Sequence, residues 1–464
     1  MDAILPANQQ FRGHSMEQKR GHAIVMGASM AGLTAARALS NHFSSVTVIE
    51  RDQLPAEAEA RKGVPQGRHA HGLLATGYNV LDSYFPAMFD EAVEAGARRG
   101  DINADFLWYQ YGGWKLRMAT GLEGVIMSRS LLESLVRKHT RAIANVTFCD
   151  GFDAEAPIFE NGAVRGLEVK APGGSKESFM ADLVVDATGR GSQSPKWLRE
   201  WGYAAVPETE IRINVGYATA LFERRPDDLW GTGGAIIAGT VPQSTRFAAA
   251  LQIEGDMWMV TLVGALEDYP PTDLQGWLAF AESLPTPDLR NLLEGREPIG
   301  EIQAYRYPAN RRRHYDQMAS FPSGYLVTGD AVCSFNPVYG QGMSVAAAEA
   351  KALDDCLSSG VDPLWKGFYR RAKKITDSPW TIATGEDLKY PQVVGKRPPG
   401  FGMVNRYMAR AHAACAKDPV VLRQFFKVAN LMAPPTSMLS PRIGWRVALG
   451  GRGTAQELPI EIQQ

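Results

Sequence analysis

The sequence predicts an α/β protein that combines a three-layer domain around a parallel sheet, an inserted antiparallel sheet and a C-terminal helical cap. Short apolar runs joined to glycine turns and helical patterns recur at residues 22–50, 182–192 and 325–357, as buried parallel strands require. Between about residues 202 and 300, apolar residues instead alternate with a period of two, which is typical of antiparallel strands. Strong helix formers dominate after Gly342 and are interrupted by prolines.

The first glycine turn separates a buried strand from a helix. Residues 22–26 are apolar, and the hexapeptide 27–32 (Gly-Ala-Ser-Met-Ala-Gly) leads into a helical pattern. This order indicates a Rossmann-like dinucleotide-binding unit in which Gly27, Ser29 and Gly32 lie close to the nucleotide. Ser29 occupies the position of the usual middle glycine. A plain βαβ unit without a ligand is the alternative.

An acidic residue follows at the end of the second predicted strand. Residues 45–49 form that strand, and Glu50 comes 23 positions after the first glycine of the turn. A carboxylate at this place accepts hydrogen bonds from an adenosine ribose. We therefore predict that Glu50 binds the ribose and that Arg51 lies beside the adenosine or the phosphates.

The loop at residues 61–71 is rich in glycine, proline and cations. Arg68, His69 and His71 are candidates to face a phosphate or a ring system, and anchoring of the loop is the alternative for Arg68. The two histidines are two positions apart, a spacing that fits no metal site.

A second glycine corner follows the apolar strand at residues 182–186. Gly189 and Gly191 permit a close backbone approach at this corner. A second corner of this kind is expected beside a long cofactor rather than beside a mononucleotide.

The third corner belongs to the stretch at residues 325–350. Residues 325–327 form a short buried strand that Gly329 and Asp330 terminate. An acidic side chain at a strand end suits a polyol or ribose hydroxyl, so Asp330 is a candidate ligand. Packing of a glycine-rich corner without a ligand is the alternative.

The loop after Asp330 ends at a helix N-terminus. Pro337, Gly340 and Gly342 form a loop that allows a ligand to approach the backbone, and the helix begins near Met343. A helix N-terminus offers free N–H groups and partial positive charge. We predict that this segment binds an anion or an electron-rich ring edge.

Two further patterns carry structural expectations. Residues 246–253 and 257–263 form an antiparallel hairpin, in which we expect Phe247 and Trp258 to pack in the core rather than to face a cavity. The charge run at residues 311–314 (Arg-Arg-Arg-His) is interpreted as a solvated face, and contact of one arginine with a phosphate or a carboxylate is the alternative.

The composition excludes several functional classes. The 464 residues exceed one simple core, and the formal net charge of -1 argues against nucleic acid as an electrostatic partner. The four scattered cysteines predict neither a metal site nor a disulfide framework, and they fit the cytoplasm. No apolar run has the length of a transmembrane helix, whereas apolar helices in the C-terminal third leave peripheral membrane contact open.

Three glycine corners in this order resemble the flavoprotein monooxygenases of the para-hydroxybenzoate-hydroxylase type, over residues 21–360. The resemblance implies that the first corner and Glu50 hold the adenosine of FAD, and that Asp330 meets the ribityl chain. It also implies that the loop ending at Gly342 lies beneath the flavin pyrimidine edge and that Arg129, at the start of an amphipathic helix, contacts the cofactor. The middle corner departs from the family pattern, because Thr-Gly-Arg (residues 188–190) replaces the usual Asp-Gly pair.

Four strings are similar to those of the bacterial flavin epoxidases of polyether antibiotic pathways, such as lasalocid and monensin biosynthesis. They lie at residues 63–71, 186–192, 312–316 and 336–344. This resemblance implies epoxidation or hydroxylation through a flavin C4a-hydroperoxide, with an apolar polyketide- or terpenoid-like substrate. The insert and the cap are less similar, and they would determine the substrate.

The resemblance also implies the partners of the reaction. They are FAD, O₂, a small apolar organic substrate, and NADPH or NADH acting directly or through a flavin reductase. No catalytic side chain is required, because the flavin carries the chemistry. Phe335, Pro337 and Tyr339 are the candidate wall of the substrate pocket. A flavin-dependent halogenase and a non-redox flavin cyclase or isomerase are the alternatives, although Met-Trp-Met-Val at residues 257–260 does not match the Trp-x-Trp-x-Ile-Pro motif of tryptophan halogenases.

The predicted Rossmann-like FAD-binding domain is interrupted by the substrate domain, whose second part is the antiparallel sheet. The predicted segments are a disordered tail (1–20), the FAD-binding domain (21–80, 125–200 and 301–360), the substrate domain (81–124 and 201–300), the helical cap (361–450) and a C-terminal tail (451–464).

Overall fold

The structure is a computed structural model that describes residues 19–450. The predicted C-terminal tail, and the N-terminal tail up to residue 18, lie outside the described residues. The strands are β1 (Arg20–Met26), β2 (Phe43–Glu50), β3 (Arg98–Asp101), β4 (Phe106–Gln110), β5 (Gly113–Trp114), β6 (Glu123–Ile126), β7 (Val146–Asp150), β8 (Asp153–Glu160), β9 (Ala163–Lys170), β10 (Lys176–Met180), β11 (Leu183–Asp186), β12 (Glu208–Glu223), β13 (Gly234–Ala238), β14 (Arg246–Ile253), β15 (Met257–Gly264), β16 (Ile299–Arg313), β17 (Tyr325–Val327) and β18 (Cys333–Ser334).

Helices cover the parallel sheet and form the C-terminal region. They are α1 (Met30–Ser40), α2 (Ala75–Tyr84), α3 (Met88–Glu94), α4 (Arg129–Arg141), α5 (Ser194–Glu200), α6 (Leu274–Glu282), α7 (Asp288–Leu293), α8 (Gly342–Ser358), α9 (Leu364–Asp387), α10 (Phe401–Ala414), α11 (Pro419–Ala429) and α12 (Pro441–Ala448). The predicted interruptions at the prolines after α9 and α11 are confirmed. No helix within residues 19–450 has the length and apolar character needed to cross a bilayer.

A five-stranded parallel sheet has the order β17-β11-β1-β2-β7. Its register pairs Met26 with Ile49 on one side and with Asp186 on the other, and Asp186 with Val327. The carboxyl ends of four strands are therefore level, and the three predicted glycine corners emerge at one edge of the sheet. Helices on one side and the three-stranded sheet β10-β9-β8 complete the predicted α/β architecture.

The predicted antiparallel region is an eight-stranded sheet with the order β18-β16-β12-β15-β14-β13-β4-β5. The β14–β15 hairpin has the predicted bounds to within one residue. Trp258 is fully buried, as expected, against the helices that cover the outer side of this sheet. The sheet also recruits β4 and β5, which come from an earlier part of the chain.

The charge run at the end of β16 is not a solvated face, and that prediction is wrong for two of its arginines. Arg312 and Arg313 are buried, and they pair with Asp377 at 2.8 Å and with Glu208 at 3.1 Å. The strand is enclosed here between β12, β18 and α9, so each guanidinium is covered while its charge is compensated.

Two glycines, one crowded and one with open space around it, provide a test of the packing at the first glycine turn. At Gly32 an added Cβ would lie 1.8 Å from the carbonyl oxygen of Gly27, whereas at Gly385, within α9, it would meet no atom within 4 Å. We expect Gly32→Ala to reduce the free energy of unfolding by about 2 kcal/mol or more through overpacking. The matched change Gly385→Ala should increase it by up to about 1 kcal/mol through helix propensity. Thermal midpoints measure both, and equal midpoints for the two variants would contradict the packing of the first turn.

Candidate functional site

Two adjoining cavities lie at the carboxyl edge of the parallel sheet. The polar cleft, about 630 Å³ in volume, runs along the three glycine corners between Glu50 and the start of α8. The apolar cavity, about 320 Å³, lies between the large antiparallel sheet and the C-terminal helices. Both volumes are typical of small-molecule sites. The two cavities share a common wall, formed by His71, Gly72, Asn336, Pro337, Gly340 and Gln341.

The first corner is held by the acidic residue at the end of β2. Glu50 accepts a hydrogen bond from the backbone N–H of Ala28 at 2.8 Å. Gly27 has a φ of +100°, and a Cβ at this position would lie 2.8 Å from the carbonyl oxygen of Ala187. A glycine is thus required where the first and second corners approach each other.

Two buried arginines line the cleft beside this corner. Arg61 pairs with Glu50 at 3.1 Å and with Glu133 at 2.7 Å, and Arg129 donates to the hydroxyl of Ser29 at 2.9 Å and pairs with Glu133 at 3.1 Å. Each guanidinium nevertheless keeps one buried nitrogen without a protein partner, Nη2 in Arg61 and Nη1 in Arg129. Burial lowers the pKa of Arg129, and Glu133 opposes this shift. Such unpaired donors favour an anionic ligand.

The second corner is stabilised from below by a buried carboxylate. Asp186 accepts from the backbone N–H of Thr188 at 2.9 Å and from the hydroxyl of Ser192 at 2.6 Å. Gly189, with a φ of +75°, lines the cleft between these anchors. Arg190 also lines the cleft, and it donates to the carbonyl of Ala309 at 2.7 Å.

The third corner places a carboxylate on the cleft wall. Asp330 is exposed within the cleft, yet the surrounding walls raise its pKa through desolvation, which Arg190 and Arg129 oppose. Behind it, Glu349 of α8 accepts from the backbone N–H of Gly329 at 2.7 Å. Burial raises the pKa of Glu349 to about 7, although this hydrogen bond opposes the shift. A Cβ at Gly342 would lie 3.8 Å from Asp330 Oδ1, so only ordinary contact limits substitution there.

The common wall contains two groups with free polar atoms. The side-chain oxygen Oε1 of Gln341 is buried without a protein partner. His71 lies with Nδ1 2.8 Å from the carbonyl of His69. Burial and the charge of Arg129 lower the pKa of His71 to about 3, so its ring is neutral at physiological pH. A neutral ring that donates through Nδ1 offers Nε2 as an acceptor.

The apolar cavity has one buried carboxylate in its wall. Asp387 accepts from the Tyr339 hydroxyl at 2.9 Å and from the Asn310 side chain at 2.6 Å. Burial raises the pKa of Asp387 to about 6, and these two hydrogen bonds oppose the shift. Aliphatic and aromatic side chains form most of the remaining wall, and they include Phe247, which the sequence had assigned to the core.

Most of the residues predicted from the sequence come together. Tyr339 and Pro337 line the apolar cavity. The residues predicted to bind the cofactor that line the polar cleft are Gly27, Ser29, Glu50, Arg51, Arg129, Gly189, Asp330, Pro337, Gly340, Gly342 and Met343. Phe335, predicted as part of the substrate-pocket wall, lines the polar cleft and not the apolar cavity.

Three predicted residues lie elsewhere. His69 is buried with Nδ1 2.7 Å from the hydroxyl oxygen of Thr219 and lines neither cavity. Gly32 does not line the cleft. Its Cα packs against the carbonyl of Gly27, and this contact holds α1 to the turn. Arg68 is exposed, lines neither cavity and donates to Gln303 at 2.8 Å, as its loop-anchoring alternative implies.

Four residues that line the cavities were not predicted from the sequence, namely Arg61, Arg190, Gln341 and Asp387. The cation-rich loop that contains Arg61 was a usable signal. No sequence pattern indicated Asp387, since it comes at the end of a helix far along the chain.

The level glycine corners, the cleft and the antiparallel sheet together define the fold of flavin-dependent monooxygenases and halogenases. Flavin-dependent brominase Bmp2 aligns with a TM-score of 0.63 at 14% identity, covering 92% of this chain and 98% of that chain. PqsL of Pseudomonas aeruginosa in complex with 2-aminobenzoylacetate aligns with a TM-score of 0.57 at 15% identity, covering 89% and 100%. For 2-methyl-3-hydroxypyridine-5-carboxylic acid oxygenase the TM-score is 0.57 at 19% identity, covering 88% and 98%.

The chain belongs to the same family as Protein Rv3254 of Mycobacterium tuberculosis, with which it is 33% identical over 434 residues, 89% of this chain and 90% of that protein. It is also 28% identical to kynurenine 3-monooxygenase of Salinispora arenicola over 377 residues, 75% of this chain and 74% of that protein. No protein-family model matches the chain.

The buried carboxylate of Asp387 gives a pH test. Its pKa is about 6 in the folded chain, against about 3.9 in an unfolded chain. The folded state thus binds more protons between these values, so the contribution of Asp387 to stability falls as the pH rises from about 4 to 6, by about 3 kcal/mol. Asp387→Asn lacks this dependence. The thermal midpoint of the variant minus that of the wild type should therefore increase from about pH 4 to pH 6 and stay constant at higher pH. A constant difference across the range would contradict the raised pKa of Asp387 in the folded chain.

Proposed function

We propose that this chain is an FAD-dependent monooxygenase that transfers one oxygen atom of O₂ to an apolar substrate, by epoxidation or hydroxylation. The observation that carries the proposal is the wall shared by a polar cleft and an apolar cavity. A long nucleotide in the cleft would place its reactive ring at this wall, in direct reach of a substrate in the cavity.

The residues that line the cleft support the assignment of FAD. Glu50 would accept from the adenosine ribose, and the unpaired nitrogens of Arg61 and Arg129 would donate to the pyrophosphate. Asp330 would accept from the ribityl hydroxyls. The start of α8 at Gly342 would direct its N–H groups and partial positive charge to the pyrimidine edge.

Reduced flavin supplies the activation of O₂: one oxygen atom enters the substrate and the other leaves as water. The electrons come from NADPH or NADH, directly or through a separate reductase. The chain contributes a largely apolar surface that would limit the contact of water with the reacting atoms. His71 stays neutral in this setting, so it adds no charge beside the flavin ring and can accept a hydrogen bond through Nε2.

The lining of the apolar cavity and the resemblance both support the proposed substrate class. The apolar lining suits a polyketide- or terpenoid-like molecule of secondary metabolism, and Asp387 with Tyr339 offers one place for a polar substituent. Halogenation requires a lysine between flavin and substrate in the tryptophan halogenases, and no lysine is among the residues of the described chain that line either cavity.

Oxygen transfer is tested with ¹⁸O₂. We expect the purified protein to take up FAD and turn yellow, and reduced enzyme with a candidate polyene substrate to give a product heavier by one ¹⁸O atom in mass spectrometry. Addition of bromide or chloride should give no halogenated product. A halogenated product, or an isomerised product formed without O₂ consumption, would replace the proposal with one of the two alternatives.

Two variants test the seat of the flavin. Asp330→Ala removes charged hydrogen bonds and should raise the Kd for FAD by about 10- to 100-fold. Gly342→Val adds a branched side chain where the cleft needs bare backbone, and it should abolish FAD binding in fluorescence titration. Gly402→Val is the matched control, because Gly402 lies in the first turn of α10 and an added Cβ there meets no atom within 4 Å. Unchanged FAD affinity in both site variants would remove Asp330 and the start of α8 from the flavin site.

A further inference from the structure

We propose that the outer surface of the C-terminal cap binds an anionic lipid bilayer. The cap surface is defined here as the exposed side of residues 388–450, which include α10, α11 and α12. Its charge and its exposed apolar side chains indicate this partner, and its inner side lies against the apolar cavity.

Almost all of the charged residues of the cap are basic. Residues 388–450 contain ten Lys and Arg and a single acidic residue, Asp418, although the whole chain has a net charge of -1. Eight of these cations are exposed, and none of the eight forms a salt bridge within residues 19–450: Lys396, Arg397, Arg406, Arg410, Lys417, Arg423, Lys427 and Arg442. A surface with so many uncompensated cations favours a polyanionic partner.

Large apolar side chains are exposed between these cations. The seven in the cap, out of ten exposed large apolar residues between residues 19 and 450, are Val394, Met403, Val404, Met432, Leu439, Trp445 and Leu449. Trp445 is 64% exposed and Met403 is 69% exposed. Exposure of this kind is concentrated here rather than scattered over the molecule, which is typical of an interaction surface.

The two kinds of residue alternate on single helix faces. On α12, Arg442 and Trp445 are exposed on the outer side, as is Leu449 at the C-cap, while Ile443 and Val447 point into the cap core. On α10, Met403 and Arg410 lie on one outer face in the same way. A helix with basic residues and Trp, Leu or Met on its outer side is suited to the headgroup layer of a bilayer.

The exposed surfaces belong to one packed unit. The hydroxyl of Tyr407 in α10 donates to the carbonyl of Met438 at 2.5 Å, and Arg446 in α12 pairs with Asp418 at the start of α11 at 2.8 Å. On its inner side, α11 contributes Phe426 and Ala429 to the wall of the apolar cavity. A bilayer on the cap surface would therefore lie one helix layer from the cavity.

Other occupants fit this surface less well. Nucleic acid is bound through phosphate contacts and stacking on aromatic rings, but six of the seven exposed apolar side chains are aliphatic or thioether groups. A second copy of the chain would bring like charges together across the interface. Residues 451–464 contain two glutamates and three large aliphatic residues. They are therefore an alternative occupant of the cap surface, which the experiment must distinguish from a bilayer.

The test is co-sedimentation of the full-length protein with phosphatidylcholine vesicles, with or without about a third of phosphatidylglycerol. We expect binding to the anionic vesicles only, and weaker binding as salt increases. Arg406→Glu with Arg410→Glu should reduce binding at least about tenfold, and Trp445→Ser should reduce it by a smaller factor. The matched control is Arg165→Glu with Lys170→Glu, which makes the same charge change on exposed positions of β9 and should leave binding unchanged.

Thermal midpoints and FAD uptake of the variants show whether each is folded, so a loss of binding in a folded variant supports the proposal. It is overturned if the full-length protein binds no anionic vesicle, or if the two charge-reversed pairs bind equally. Vesicle binding that appears only after removal of residues 451–464 would identify that segment as the occupant. The proposal would also be overturned if sedimentation velocity showed that the protein is a dimer and that Arg406→Glu with Arg410→Glu changes its dimerisation.

Discussion

The in-register parallel pairing of β2, β1, β11 and β17 is the constraint on which the site depends. Met26, Ile49, Asp186 and Val327 are paired across the sheet, so the residues that follow them emerge at one level. Consecutive residues of these strands are buried, so both faces of the sheet are packed; a slip of one residue would exchange the side chains between the two faces, and the packing of the two layers therefore fixes the register. The polar cleft is thus a consequence of hydrophobic burial in the sheet beneath it.

The same edge concentrates charge, and the fold compensates most of it internally. Arg61 and Arg129 share Glu133, and Glu50 and Asp186 accept from backbone N–H groups of the corners they support. Burial of these ions is tolerable because nearly every polar atom has a partner. The few unpaired atoms then mark where a ligand must complete the network. Two of them are guanidinium nitrogens on one cleft.

The sequence predicted the parts of the fold and site that arise from local patterns. The glycine corners, their strands and the start of α8 were found because turn chemistry and apolar runs are encoded within about ten residues. Asp387 and the burial of Arg312 were missed because both depend on partners supplied by distant elements, Tyr339 in one case and Asp377 of α9 in the other. Arg68 shows the converse error, since a suggestive cation-rich loop does not specify which of its side chains points inward.

The loop between β18 and α8 serves both cavities, and this double use limits how the chain can vary. Asn336 accepts from the Tyr217 hydroxyl of the antiparallel sheet at 2.8 Å, and Gly340 packs against Gly72, so the loop is fixed to both domains. Residues that shape the apolar cavity away from this loop, such as Phe247 on β14, are free of that double constraint. The lining of the apolar cavity can therefore vary on the antiparallel sheet and the C-terminal helices while the polar cleft stays the same, because the two cavities meet at the shared wall.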